Sequence, residues 1–164
     1  SALQVSYGEA RAKNANKAIT GHYLKSNTTL KKKSLEFKNI PGNKNLGDEI
    51  SISDIFTEGD TVHAIGFTKG KGFQGVVKRH GFGGVQYATH GQHNRGRAPG
   101  SIGASSYPSK VVKGLRMAGR QGVEQVKVKN LKIARILGEK NLLLIRGAIP
   151  GHKGSIVVIE KSTK

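Results

Sequence analysis

Val126-Lys127-Val128-Lys129 and, one residue on, Leu131-Lys132-Ile133-Ala134-Arg135-Ile136 decide the fold class. Apolar and charged side chains alternate with a period of two, which sends Val, Leu and Ile to one face of an extended chain and most of the charge to the other. Strand signals continue outward in both directions. Thr61-Val62-His63-Ala64-Ile65-Gly66-Phe67 is rich in β-formers, and Ala2-Leu3-Gln4-Val5-Ser6 is strand-like. Leu142-Leu143-Leu144-Ile145 and Ile156-Val157-Val158-Ile159 are short continuous apolar runs, the pattern of buried strands. Glu139-Lys140-Asn141 separates two of these runs as a hairpin turn, and Pro150-Gly151 opens a further loop. The best helix candidate is residues 9–18, with Ala10, Ala12, Ala15 and Ala18. The expectation is a mainly β protein, a barrel or a sandwich.

Charge divides the chain differently. Residues 1–47 hold nine Lys/Arg and two acids, with the run Lys31-Lys32-Lys33, whereas residues 48–60 hold five of the ten acids. The 63 residues from Thr61 to Val123 then contain no acid, ten Lys/Arg, four His and 14 Gly. Glycine falls there too often for a helix and too irregularly for a long strand. A connection of this length without structure of its own is expected only where it is functional or ordered by a partner. A solvated linker has no reason to exclude every Asp and Glu, and a segment threaded between phosphates does. The net charge of +18 on 164 residues points the same way, toward a polyanion.

Other classes fall away. Without Cys there are no disulfides and no thiolate metal sites. No apolar run approaches the ~20 residues that span a bilayer, so no membrane partner is expected. Gly70-Lys71-Gly72-Phe73-Gln74-Gly75 matches the G-x-G-x-x-G of dinucleotide binding, but that motif must open a helix and be followed about 20 residues later by an acid. The run Val76-Val77-Lys78-Arg79-His80-Gly81-Phe82-Gly83-Gly84 is expected to open none, and the next acid is Glu124. A nucleotide-dependent enzyme, a cofactor and a small-molecule substrate are therefore not expected. His80, His90 and His93 lack neighbouring Cys or carboxylates and make a poor metal set. Ser101 and Ser105 lack the glycines of a nucleophile elbow, so no catalytic residue is assigned. What survives is glycine that lets backbone N–H groups approach phosphate, with Lys69, Lys71, Lys78 and Arg79 supplying charge. Phe73, Phe82, Tyr87 and Tyr107 lie among these cations and suit unpaired bases, or, for Phe73 and Phe82, a small apolar cluster at the base of the stretch.

Longer runs carry a resemblance. Ile55-Phe56-Thr57-Glu58-Gly59-Asp60 leads into Thr68-Lys69-Gly70-Lys71-Gly72-Phe73-Gln74-Gly75-Val76-Val77-Lys78-Arg79. Ala88-Thr89-His90-Gly91, Arg97-Ala98-Pro99-Gly100-Ser101-Ile102-Gly103, Lys113-Gly114, Met117-Ala118-Gly119-Arg120 and Gly147-Ala148-Ile149-Pro150-Gly151 follow in order, and Gly21-His22-Tyr23 precedes them. Nearly the whole chain thereby resembles large-subunit ribosomal protein family three (universal L-three), of bacterial type. Thr68 stands where the family usually has Ser, and the family's N-terminal segment with its Gly-x-Lys-x-Gly-Met motif is absent.

The resemblance implies a small β-barrel of the translation-protein type, residues 1–67 and 123–164, carrying a long Gly-rich basic loop, residues 68–122, that penetrates rRNA. It implies a cytoplasmic, ribosomal protein that binds near the 3′ end of the large-subunit rRNA, helps nucleate assembly and neighbours ribosomal protein families fourteen and nineteen. The rRNA-binding set is Lys69, Lys71, Lys78, Arg79, His80, His90, Arg95, Arg97, Lys110, Lys113, Arg116 and Arg120. Gly84, Gln86, Tyr87 and His90 form the loop tip, directed toward the peptidyl-transferase centre. Gln86 matches a glutamine that some bacterial members methylate, although Gly83-Gly84-Val85 and Tyr87 differ from that pattern. The alternative function is a non-ribosomal RNA chaperone or regulator using the same loop.

Overall fold

A computed structural model describes residues 2–38, 44–86 and 89–162. The chain forms two compact units, Ser1–Asp54 and Ile55–Lys164, and is mainly β.

In the first unit, β1 (Ala2–Glu9) pairs antiparallel with β2 (Lys31–Lys38), Val5 opposite Leu35 and Tyr7 opposite Lys33. Between them runs α1 (Lys17–Leu24). Its start is set by Asn16, whose Oδ1 accepts from the Ile19 N–H at 2.8 Å, a side-chain cap on an otherwise unpaired helix donor. The helix is therefore later than the alanine-rich window suggested, and only a single 3₁₀ turn, Ala12–Asn14, falls within residues 9–18 ahead of it. Tyr23 is buried and its hydroxyl lies 3.3 Å from Ser6 Oγ, while His22 Nε2 lies 2.9 Å from Gln4 Oε1, so α1 covers the face of β1 that carries Gln4 and Ser6. A short α2 (Ile52–Ile55) follows.

The second unit is organised by β3 (Thr61–Phe67), which further elements follow in the chain. They are a short β4 (Gly72–Gln74), α3 (Val76–His80), β5 (Gly119–Gln121), the 13-residue β6 (Gln125–Leu137), β7 (Leu142–Arg146) and β8 (Val158–Lys161). The main sheet has the order β7-β6-β3-β8, all neighbours antiparallel, and β4 pairs separately with β5. Among the described residues no pairing joins β8 back to β7, so these strands do not close a barrel.

The alternation of β6 is broken twice. Val62 pairs with Leu131 and Ala64 with Val128, so two residues of β6, Lys129 and Asn130, oppose His63 alone. Asn130 takes φ +59° and donates its N–H to His63 Nδ1 at 3.2 Å. A second extra residue, Ala134, falls between the Ile133–Ile145 and Arg135–Leu144 pairs. Near it the Ile136 N–H is taken by the Glu58 carboxylate at 3.0 Å. Each bulge resets which side chains face inward, and so Val126, Val128, Leu131, Ile133 and Ile136 all reach the same face.

That face builds the core: Val62, Ala64, Leu131 and Ile133, with Phe56, Val128, Ile136, Leu143, Ile145, Val157 and Ile159 packed around them. Leu142–Ile145 is not buried on both faces as its continuous apolar run suggested. β7 is an edge strand, and Leu142 and Leu144 are each 48% exposed while Leu143 and Ile145 point inward. The β6–β7 hairpin turns as expected, through a 3₁₀ turn at Gly138–Lys140 and Asn141 in the left-handed region. At the other edge, Lys161 Nζ meets Asp60 Oδ2 at 2.8 Å, and the Thr57 N–H donates to the same carboxylate at 3.0 Å. The Lys161 ammonium first, and the Thr57 amide second, hold the Asp60 carboxyl down to about 2 from 3.8.

Candidate nucleic-acid interface

The acid-free stretch leaves the sheet through a narrow neck. The Thr68 N–H donates to Glu124 O at 2.9 Å, the Val123 N–H to Thr68 O at 3.2 Å, and the Lys71 N–H to Gln121 O at 2.9 Å. The Glu124 N–H also reaches Thr68 Oγ1 at 3.2 Å, so the hydroxyl that Thr68 shares with the family's usual Ser has a structural task. Gly122 makes the crossing possible. It takes φ +86°, and a Cβ there would fall on the Lys69 carbonyl oxygen and within 2.9 Å of Gly70 Cα.

Beyond the neck, the β4–β5 ribbon leads into α3. The glycine-rich run after Gly75 is expected to open no helix, yet one turn forms. Val76 anchors it at 2% exposure, and Gly81 at φ +72° ends it, donating its N–H to Val77 O at 3.0 Å. Glycine in the left-handed region is what allows so short a helix to stop cleanly. The acid required by a dinucleotide motif remains absent.

One turn of helix is enough to aim Lys78, Arg79 and His80. Lys78 is exposed. Arg79 and His80 are half-buried and turn back on the chain, Arg79 donating from Nη1 to Met117 O at 2.8 Å and His80 Nε2 lying 3.0 Å from the same oxygen. A Cβ on Gly119 would meet Arg79 Nη1 at 2.5 Å, so the guanidinium lies directly over this glycine. Arg79 thus fastens the outgoing and returning strands while the rest of its five-donor fork stays unused by that bond. Sequence spacing gave no signal for these partners, which lie 38 residues apart.

The remaining residues are open. Every described residue from Gly83 to Ala118 is exposed, and no helix or named strand falls among them. Lys69, Lys71, His90, Arg95, Arg97, Lys110, Lys113, Arg116 and Arg120 are all exposed, as are Gly84 and Gln86. Tyr87 lies outside the described residues. At Gly84, φ +66°, the chain passes so close to Gly96 that a Cβ would collide with the Gly96 carbonyl oxygen, which accepts the Val85 N–H at 3.0 Å. Gln86, His90 and Arg95 therefore fall on one ring of chain closed by two glycines. Phe73 is 76% exposed and Tyr107 91%, whereas Phe82 sits 6.1 Å from the His80 ring. Phe73 thus stands clear of the core, and Phe82 has His80 as an aromatic neighbour.

A mainly β fold, a charge of +18 and an exposed cationic excursion without acids define a class: basic β proteins that carry an extended arm. The family model described as Ribosomal protein L3 matches residues 33–141. The chain is 46% identical over 161 residues to the large ribosomal subunit protein uL3 of Salinibacter ruber, covering 98% of this chain and 77% of that protein. It is 48% identical over 165 residues to the large ribosomal subunit protein uL3 of Cutibacterium acnes, covering 100% of this chain and 73% of that one. The chain belongs to the ribosomal protein L3 family, a family of structural ribosomal proteins and not of enzymes.

Proposed function

We propose that the chain is a structural constituent of the large ribosomal subunit that binds rRNA mainly through residues 68–122. The observation that carries this reading is the run of exposed cations between Lys69 and Arg120 on a segment with no acid of its own. Such a segment cannot offset its ordering entropy by burial, and it gains instead by displacing counterions from phosphate. Lys69, Lys71, Lys78, His90, Arg95, Arg97, Lys110, Lys113, Arg116 and Arg120, with the free donors of Arg79 and His80, make the contacts. These fix position and leave most specificity to RNA shape.

In the same reading residues 1–67 and 123–164 make up a small barrel of the translation-protein type, and 68–122 is its long Gly-rich loop. The two bulges of β6 support this, because bulges bend strands as closure requires. Gly84, Gln86, Tyr87 and His90 form the loop tip, which extends toward the peptidyl-transferase centre, with Gln86 open to methylation. Binding lies near the 3′ end of the large-subunit rRNA, beside ribosomal protein families fourteen and nineteen, and helps nucleate assembly. Titration of the protein with its rRNA fragment at several salt concentrations tests the electrostatic core of the reading. Engagement of on the order of 10 phosphates gives a log–log slope of about −7 to −9, and neutralising Lys78 and Arg79 together flattens it by about one to two. A slope near −2 would show that the charge is solvated surface.

A further inference from the structure

The neck has a shallow notch on one side, lined by Thr68, Lys69, Lys71, Gln121, Glu124 and Ile149 together with Gly122 and Gly151. Its walls are held by close backbone approaches. Gly122 crosses Lys69 as described, and Gly151 at φ +109° lies against Phe67, where a Cβ would meet the Phe67 carbonyl oxygen at 3.0 Å. A notch built from crossed backbones keeps its shape when a ligand enters.

One group in it does not fit a purely phosphate-binding surface. Glu124 is the first acid after the acid-free stretch and lines the notch beside Lys69 and Lys71. Yet among the described residues the ion pairs join Lys44 to Asp54, Lys127 to Glu160 and Lys161 to Asp60, and none includes Glu124. A carboxylate placed where phosphates approach repels them, so it needs a donor that compensates. The side chains of Lys69 and Lys71 supply donors only, and Ile149, 44% exposed, supplies an apolar wall.

We propose that this notch takes one unpaired guanine of RNA, read on its Watson–Crick edge. The inference rests on the RNA-binding reading above and adds the base that this part of the surface selects. Guanine presents two adjacent donors, N1–H and N2–H, that match the two oxygens of a carboxylate, and O6 beside them as an acceptor for a lysine. Adenine has an acceptor at N1 and would face Glu124 lone pair to lone pair. Cytosine offers a single exocyclic amine and no second donor. Uracil carries one donor between two acceptors. Unpaired bases splayed from RNA are recognised through this edge, and a bidentate match is the kind of contact that discriminates between bases.

The test uses the full chain and short single-stranded RNAs of uridines with a central guanine, adenine, cytosine or inosine. Each is titrated by fluorescence anisotropy at one fixed ionic strength against the natural sequence, Glu124→Gln and Glu124→Ala. Glu124 is exposed, so neither substitution threatens the fold. The expected result is guanine bound about 5-fold or more tightly than adenine, with inosine, which lacks the N2 amine, in between. Glu124→Ala should abolish the difference, because the guanine RNA loses its paired acceptor while the other three RNAs lose only a repulsive charge and bind at least as tightly. Equal affinity for guanine and adenine, a preference for cytosine, or a guanine preference that survives Glu124→Ala overturns the guanine site and leaves the RNA-binding reading standing. Failure of all four RNAs to bind overturns that reading itself, and the guanine site with it.

Discussion

Replacing Gly122 by Ala measures how much of the neck depends on backbone contact, and the molecule contains its own control. Gly59 and Gly122 share φ +86°, but a Cβ at Gly59 meets nothing within 4 Å, whereas at Gly122 it strikes the Lys69 carbonyl oxygen and crowds Gly70 Cα at 2.9 Å. The left-handed conformation costs an L-residue about 1–2 kcal/mol wherever it occurs, so Gly59→Ala should lose about that much. Gly122→Ala carries the same cost and must also push two backbones apart. Overpacking of that kind adds about 1–3 kcal/mol, for a total of about 2–5. The difference between the two variants is therefore steric, free of the conformational term. The chain has no Trp, so circular dichroism in a urea titration reads global stability. Hydrogen exchange at the Lys71 and Val123 amides, which close the neck, reads the local opening. Gly122→Ala should deprotect both amides and Gly59→Ala neither. Equal losses of stability in the two variants, with both amides still protected, would refute the reasoning.

Asp60 gives a pH-dependent outcome. Its folded carboxyl lies at about 2, below the ordinary 3.8, so it stabilises the fold above pH 3.8 and that contribution is lost as pH falls toward 2. Acid titration of Asp60→Asn should show a shallower loss of stability across that window than the natural sequence, and parallel curves would remove the Lys161 pair as the cause. Limited proteolysis of the RNA-free protein should cut first within residues 83–118, all of whose described members are exposed, and spare residues 126–160. Equal protection of both regions would count against the extended loop. Substitutions at Gly84, Gln86 and His90 should alter peptidyl-transferase behaviour or sensitivity to antibiotics acting there while subunits still assemble, whereas Lys71 or Lys78 substitutions should impair assembly. Unchanged assembly and drug response in conservative Gln86 and His90 variants would leave the tip with no role beyond packing.

Much of the fold was legible because it is written in local patterns. Thr61–Phe67 is the strand its composition predicts, and the Glu139-Lys140-Asn141 turn forms. The misses fall where a single capping residue, or a strand from elsewhere in the chain, outranks local composition. The window 9–18 rested on its alanines alone, and the Asn16 cap fixes where the helix begins more firmly than propensity does. The apolar run at Leu142 looked buried on both faces because periodicity reports side-chain character and not whether a neighbouring strand exists. The single turn of α3 was hidden by the glycines around it, one of which is the residue that ends it. At the candidate interface the cations were plain from charge alone. Their fastening to Met117 and Gly119, and the notch around Glu124, arise from residues tens of positions apart that only the fold brings together.

The uneven spacing along β6 decides which misfolded alignments are open to this sheet. A strand that alternates without interruption can slide by two residues and still present the same kind of side chain inward. The inward residues of β6 stand at Val126, Val128, Leu131, Ile133 and Ile136, separated by two, three, two and three positions. A slide of two would carry Asn130 and Arg135 into the core places of Val128 and Ile133, one an amide and the other a permanent cation, neither with a partner there. The bulges that look like defects in the ladder therefore act as registration pins. A chain with this much glycine and so small a core can still settle on one alignment of its longest strand, because the nearest competing one is prohibitively polar.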